Sequence, residues 1–233
     1  MNFSKFFAGF FLGSSIVLAF QPFNYWFLTF LIPGLLYQLI KRESIKNVFF
    51  ISYFFGFGLW AFGIFWIENS LTVYGGASPI LGGFLTLLLA SFLSLFQAFS
   101  FSVFKVVSSK RKTYEVYLLF PATWVLSEWL REFLFTGFPW LYIGYTAVDN
   151  TLIQGYIPVL GVFGIGFFIV FISQIILSLL GNLKDLSRGK SLFLPALILV
   201  IVFIGNQPLE KVNWTKSTKN ITAIVVQPNI DIK

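Results

Sequence analysis

Cysteine and histidine are both missing from this 233-residue sequence. The chain therefore brings no thiol nucleophile, no disulfide, no imidazole base and no Cys or His metal ligand of its own. Charge is scarce as well: Lys, Arg, Asp and Glu make up 11% of the residues, against about 25% in soluble domains. So little polar surface excludes a water-soluble fold. In its place stand 57% hydrophobic residues, 21% aromatics with 32 Phe, and a mean hydropathy of +0.84. This is the composition of a helical membrane protein whose outer surface meets acyl chains and whose Trp and Tyr sit at the interfaces. In such a chain the net charge of +7 reports topology and attraction to an anionic leaflet, not nucleic acid.

The hydropathy pattern predicts about seven spans, over residues 3–20, 25–40, 48–67, 80–104, 114–130, 153–180 and 192–205. The first two are short for a bilayer that asks for about 20 apolar residues and read together as a hairpin. Gly9 and Gly13 are spaced for close helix contact. Lys5, the apolar run and Val17-Leu18-Ala19 also resemble a signal peptide, but the immediate second apolar run favours retention. Basic residues fall in alternate gaps: Lys5; Lys41, Arg42 and Lys46; Lys105, Lys110, Arg111 and Lys112; Lys184, Arg188 and Lys190. The amino terminus is therefore expected in the cytoplasm, with the loops at 21–24, 68–79 and 131–152 and the carboxyl-terminal tail on the outer face. Lys211, Lys216 and Lys219 run against the rule, which weakens where a long domain follows the last span.

The charges that matter lie in Pro121 to Tyr145, PATWVLSEWLREFLFTGFPWLYIGY. Glu128, Arg131 and Glu132 close an apolar helix just before a turn rich in Gly, Pro and aromatics. Spacing of three and four residues puts them on one helical face, and two readings follow. They form an ordinary network above the lipid, or they mark a functional site, as ionisable residues near membrane depth do. In the second reading Trp140, Trp66 and Tyr74 line a mouth in the outer leaflet. Arg131 meets a phosphate there, since a guanidinium binds that anion in bidentate fashion. Glu68 reads as a solvated helix end, and Gly161, Gly164 and Gly166, spaced GxxGxG inside an apolar span, as helix packing and not a dinucleotide loop.

Beyond Asn206 the chain turns polar, and Ile221 to Val226 (ITAIVV) predicts a buried strand. One strand is not a domain, so the tail is either unstructured or the beginning of a second, soluble unit. The organisation expected is a helical domain over 1–205, a linker over 206–220 and a stub of that unit over 221–233.

GFGLWAFGIFWIENSLTVYGG (Gly56 to Gly76), the Pro121 to Tyr145 block and Pro158-Val159-Leu160-Gly161 resemble the apolipoprotein N-acyltransferase family, and ITAIVVQPNI is similar to the first strand of that family's nitrilase-like α/β domain. The resemblance implies a multi-pass protein of the bacterial inner membrane. Its reaction takes the sn-1 acyl chain of a phospholipid, usually phosphatidylethanolamine, onto a cysteine as a thioester. The acyl group then passes to the free amine of diacylglyceryl-cysteine at a lipoprotein's amino terminus, with no cofactor. The family's catalytic Glu, Lys and Cys lie in the nitrilase-like domain, so no catalytic residue can be placed in this sequence, which is expected to be inactive alone. A separate chain carrying that domain is one implied partner. By likeness Arg131 and Trp140 match positions near the substrate entrance and Trp214 a linker tryptophan close to the active site, while Glu128 and Tyr74 join them from the residue reading. A small transporter or channel and a non-catalytic lipid-binding protein are the alternatives. The first is disfavoured by the absence of an internal repeat and by charges that gather at span ends.

Overall fold

In the computed structural model, residues 3–108, 114–182, 189–219 and 221–227 are described. Glycines set how the first helices meet. Helix α1 (Phe3–Ile16) crosses α3 (Ile45–Gly63) so closely that a Cβ on Gly9 would lie 2.7 Å from the Ile51 carbonyl, and Gly13 abuts the Phe55 carbonyl. Gly58 returns the contact from α3 onto Phe10 and Ser14. Bare backbone against bare backbone is the way helices gain contact where lipid removes the hydrophobic incentive to associate. Between them, α2 (Ile32–Ile40) is tied to α7 (Ile157–Asn182) by the Gly34 amide, which donates to Ser173 Oγ at 2.8 Å.

Ser44 caps α3 by accepting from the Asn47 amide, and Ser78 does the same for α5 (Pro79–Val107). A short α4 (Trp66–Asn69) joins the two. Helix α6 (Phe120–Phe133) opens with Pro121 in its first turn, where the missing N–H costs nothing, and α8 (Gly189–Glu210) ends the bundle. The core runs along the seam of α3, α5, α6 and α7, with Phe55, Phe101, Phe120 and Trp124 packed edge to face or stacked at centroid distances of 5.3 to 6.5 Å. Phenylalanines on the outer faces of α1 and α5, among them Phe7, Phe11, Phe84 and Phe99, are exposed.

Among the described residues four helical segments are long and apolar enough to cross a membrane: Ile45–Gly63, Pro79–Val107, Gln154–Gly181 and Phe193–Glu210. Of the seven predicted spans these answer to the third, fourth, sixth and seventh. The first two are the shorter apolar stretches Phe3–Ala19 and Trp26–Ile40. The fifth is helical, and α6 runs on past its predicted end to Phe133 with Glu128, Arg131 and Glu132 in its last turns. Among the described residues there is no strand. Residues 221–227 are exposed and without regular structure, because a single β-branched run has no neighbour for its ladder of N–H and C=O groups. Residues 228–233 of the predicted stub and Lys110, Arg111, Lys112, Lys184 and Arg188 of the basic gaps lie outside the described residues.

Helix α8 continues five residues into the predicted linker, and Asn206 is the reason. Its buried amide accepts from the Gly155 amide at 2.7 Å and donates to the Thr151 carbonyl at 2.9 Å and to Glu210 Oε1 at 2.6 Å. Gln154 also reaches Glu210 Oε1 at 3.0 Å, and the Tyr156 hydroxyl donates to the Val202 carbonyl at 2.9 Å. The last helix is thus fastened to the 150–156 segment just before the tail departs.

Candidate functional site

The charged end of α6 points into the protein. Glu128 and Arg131 are 4% and 1% exposed, so the surface-network reading of the sequence does not describe them. The two lie on the same helical face yet form no direct ion pair. Each is bound to the segment that follows. Glu128 Oε1 accepts from Trp124 Nε1 at 3.1 Å and from the Ile143 amide at 2.9 Å. Its other oxygen is turned toward α7, where Gly166 leaves room: a Cβ there would stand 3.6 Å from Oε2 and 3.2 Å from Ile143.

Arg131 organises the loop between α6 and Tyr142. Its Nη1 donates to the carbonyls of Phe138 and, at 2.6 Å, Trp140, while the Phe138 amide donates back to the Arg131 carbonyl at 2.9 Å. The guanidinium carbon lies 4.4 Å from the Trp60 ring centre and 4.8 Å from that of Tyr142, a cation between two aromatic faces. This bracket holds an unusual backbone. Phe135, Thr136 and Gly137 take φ of +54°, +72° and +85° in succession, and Leu141 takes +54°. For residues other than glycine such angles cost on the order of 1–3 kcal/mol each, and they persist only where the surroundings over-determine them. The surroundings here are Arg131 and a chain of ring contacts: Phe135 on Phe92 at 5.2 Å, Phe138 on Trp60 at 5.9 Å and on Trp140 at 5.4 Å, and Trp140 on Trp66 at 6.1 Å.

The product of this local order is a groove of about 580 Å³ beside Trp140, walled by Phe20, Pro139, Trp140 and Tyr145, with Asn24 and Asp149 as polar points. Gln21 donates to Asp149 across it, and the Tyr145 hydroxyl donates to the Pro139 carbonyl at 3.3 Å. Burial, with Glu132 adding to it, pushes the Tyr145 hydroxyl above the ordinary phenol range. Burial pushes Tyr142 up to about 12 against the opposing pull of Arg131. Both tyrosines are neutral at physiological pH and act as hydrogen-bond groups, not as bases. A mostly apolar groove with a few polar groups suits an amphiphile.

The structure brings together three of the five predicted site residues. Glu128, Arg131 and Trp140 share the loop, with Trp140 45% exposed on the groove wall. Arg131 sits behind the loop and spends its hydrogen bonds on protein carbonyls. Tyr74 is 63% exposed and is not on the groove wall; Trp66 makes the contact to Trp140. Trp214 is 49% exposed in the irregular tail after α8. Sequence reading passed over Trp60 and Tyr142, which with Gly166 complete the setting of Arg131 and Glu128. It took Gly161, Gly164 and Gly166 together as helix packing. Only Gly166 faces a neighbouring segment, while Gly161, at φ +62°, breaks α7 and meets nothing.

Residues 12–175 match the family model described as the apolipoprotein N-acyltransferase N-terminal domain. The chain is 36% identical to the apolipoprotein N-acyltransferase of Coxiella burnetii over 221 residues, covering 94% of this chain and 44% of the relative. Similarity to the enzymes of that name from Haemophilus influenzae (35%, covering 92% and 40%) and Photobacterium profundum (32%, covering 94% and 41%) is of the same kind. The chain thus spans less than half the length of these curated relatives.

Proposed function

The chain belongs to the apolipoprotein N-acyltransferase family, and from that premise we propose that it serves as the membrane platform of the acyl transfer. In this reading seven segments cross the bacterial inner membrane, the amino terminus is cytoplasmic, and the groove beside Trp140 opens to the outer leaflet. The platform admits a phospholipid, phosphatidylethanolamine in the first instance, as acyl donor and the diacylglyceryl-cysteine of a lipoprotein as acceptor. Thioester chemistry needs an activated thiolate and a place for a developing oxyanion. The sequence has no cysteine, so the thiol comes from a nitrilase-like domain outside these residues. Residues 221–226 pair as a strand only within that domain, and Trp214, in the connection from α8, lies near its active site.

The observation that carries this reading is the strained aromatic loop, fixed by Arg131 and walling an amphiphile-sized groove, inside a segment that matches the family. Within it Trp140 touches the lipid, while Glu128 and Arg131 hold the wall in place. Tyr74 contributes at the rim of the same outer surface. The test is an acylation assay in detergent with phospholipid and a diacylated lipopeptide. This polypeptide alone is expected to give no product, and the chain extended through a nitrilase-like domain to give it. Turnover by the 233 residues unaided would refute the division of labour.

A further inference from the structure

A second cavity, of about 520 Å³, opens at the other end of α3. It is lined by Tyr37, Lys41, Ser44, Phe104, Lys105 and Val106, and by the buried Glu115. Ser44 caps the first turn of α3, whereas Trp60, in its last turn, faces Arg131. At 1.5 Å per residue the 16 residues from Ser44 to Trp60 set these two ends of α3 roughly 24 Å apart, most of the thickness of a hydrocarbon core.

The chemistry here differs from that of the groove. Lys105 Nζ donates to the Lys41 carbonyl at 3.0 Å, which fixes its ammonium against the α2–α3 turn. An ammonium has three N–H groups, and this bond uses one. Lys5, Lys41, Arg42, Lys46 and Lys105 cluster at this end of the bundle against the carboxylates of Glu43 and Glu115. Glu43 is engaged by Lys5 at 2.5 Å and by Asn47 at 2.7 Å. The first turn of α3 holds no acidic residue of its own, and the carboxylate nearest its positive end is Glu43, already engaged by Lys5 and Asn47. Beside this polar half the wall is apolar, and Val106 and Val107 lead from it onto the exposed flank of α5.

We propose that this pocket binds the phosphodiester of an anionic phospholipid, with the headgroup phosphate held by Lys41 and Lys105 and the glycerol end laid against Phe104 and Val106. A free anion would have no use for the apolar wall, and the ammonium of a zwitterionic headgroup would face the lysines. The site is separate from the groove that handles the reacting lipids. Only its assignment to the inner leaflet rests on the orientation proposed above. The lipid held there ties α2, α3 and α5 together at one interface.

The experiment is native mass spectrometry of the purified chain offered dioleoylphosphatidylglycerol and dioleoylphosphatidylethanolamine in equal amounts. Retention of one phosphatidylglycerol in preference, by about five-fold or more, is expected. That preference is expected to vanish in Lys41→Gln/Lys105→Gln and to persist in Lys41→Arg/Lys105→Arg and in the tail variant Lys211→Gln/Lys216→Gln/Lys219→Gln. An unchanged preference in Lys41→Gln/Lys105→Gln overturns the proposal. Should that variant not fold, Val106→Trp fills the pocket with its charges intact, and continued retention of the lipid by it overturns the proposal equally. Displacement of the lipid by excess inorganic phosphate assigns the pocket to a free anion and sinks the lipid reading; resistance to it supports that reading. The measurement reads lipid retention and not acyl transfer, so its failure leaves the function proposed above untouched.

Discussion

Replacing Arg131 with methionine keeps most of the side chain's volume and removes only its polar head. The two carbonyls of Phe138 and Trp140 each lose a charge-assisted hydrogen bond, about 1.5 kcal/mol apiece at the low end for half-buried partners. The stacking of the cation between Trp60 and Tyr142 adds about 0.5–2 kcal/mol. Together the loss is about 4 kcal/mol, large enough to release a loop with three non-glycine residues at positive φ. For a chain of this size each kcal/mol moves the midpoint by about 2–4 °C, so the thermal midpoint in detergent is expected to fall by roughly 8–16 °C. Amide exchange supplies the local readout. The Phe138 amide, bonded to the Arg131 carbonyl at 2.9 Å, is expected to lose protection, whereas amides along α3 far from Trp60 keep theirs. Arg131→Lys retains the charge but not the fork and is expected to fall between. Unchanged protection of Phe138 and an unmoved midpoint in Arg131→Met would refute the view that this guanidinium shapes the loop.

Gly137→Ala places a Cβ against the Glu132 carbonyl at a φ of +85°, and a loss of about 2–3 kcal/mol with faster proteolysis near residue 137 is expected. In Asn206→Leu the buried Gly155 amide loses its acceptor; its exchange is expected to quicken and stability to drop by about 1–3 kcal/mol. The bond from Lys5, and after it that from Asn47, holds the Glu43 carboxyl below the usual carboxylate range. A depressed carboxylate stabilises the fold above its unfolded value and loses that contribution as pH falls through its folded value. The loss of stability on acidification below the ordinary carboxylate range is therefore expected to be smaller in Glu43→Gln, by no more than about 1 kcal/mol for a partly exposed pair. For topology, a single cysteine at Tyr74, in a chain with none of its own, is expected to react with an impermeant maleimide added from outside; labelling only after permeabilisation reverses the orientation.

The sequence announced Glu128 and Arg131, because charge beside hydrocarbon needs a reason and three-residue spacing sets both on one face. It could not announce their partners. The carbonyls that Arg131 holds lie seven and nine residues on, and they come within reach only because Phe135 and Thr136 adopt a conformation that their own propensities oppose. A phosphate for Arg131 was the natural expectation while that bend was invisible. Trp60 and Gly166 belong to other helices, and nothing in their local patterns points to α6. The latch from Asn206 to Gly155 joins residues 51 apart, so a polar residue that reads as the start of a linker is instead a buried tie within the last helix. Helix-forming segments were legible from apolar length alone. The strand at 221–226 was legible only as propensity, which without a pairing neighbour builds nothing.

The seat of α1 has a consequence for biogenesis. Its glycines fit a surface, the carbonyls of Ile51 and Phe55, that does not exist when α1 leaves the ribosome. Some 47 residues separate the end of α1 from the end of α3, about 2–9 s of synthesis at 5–20 residues per second. Through that interval a segment too brief to settle alone across a bilayer must be sheltered by the insertion machinery, and the order in which the ribosome delivers these helices becomes part of how the protein is made.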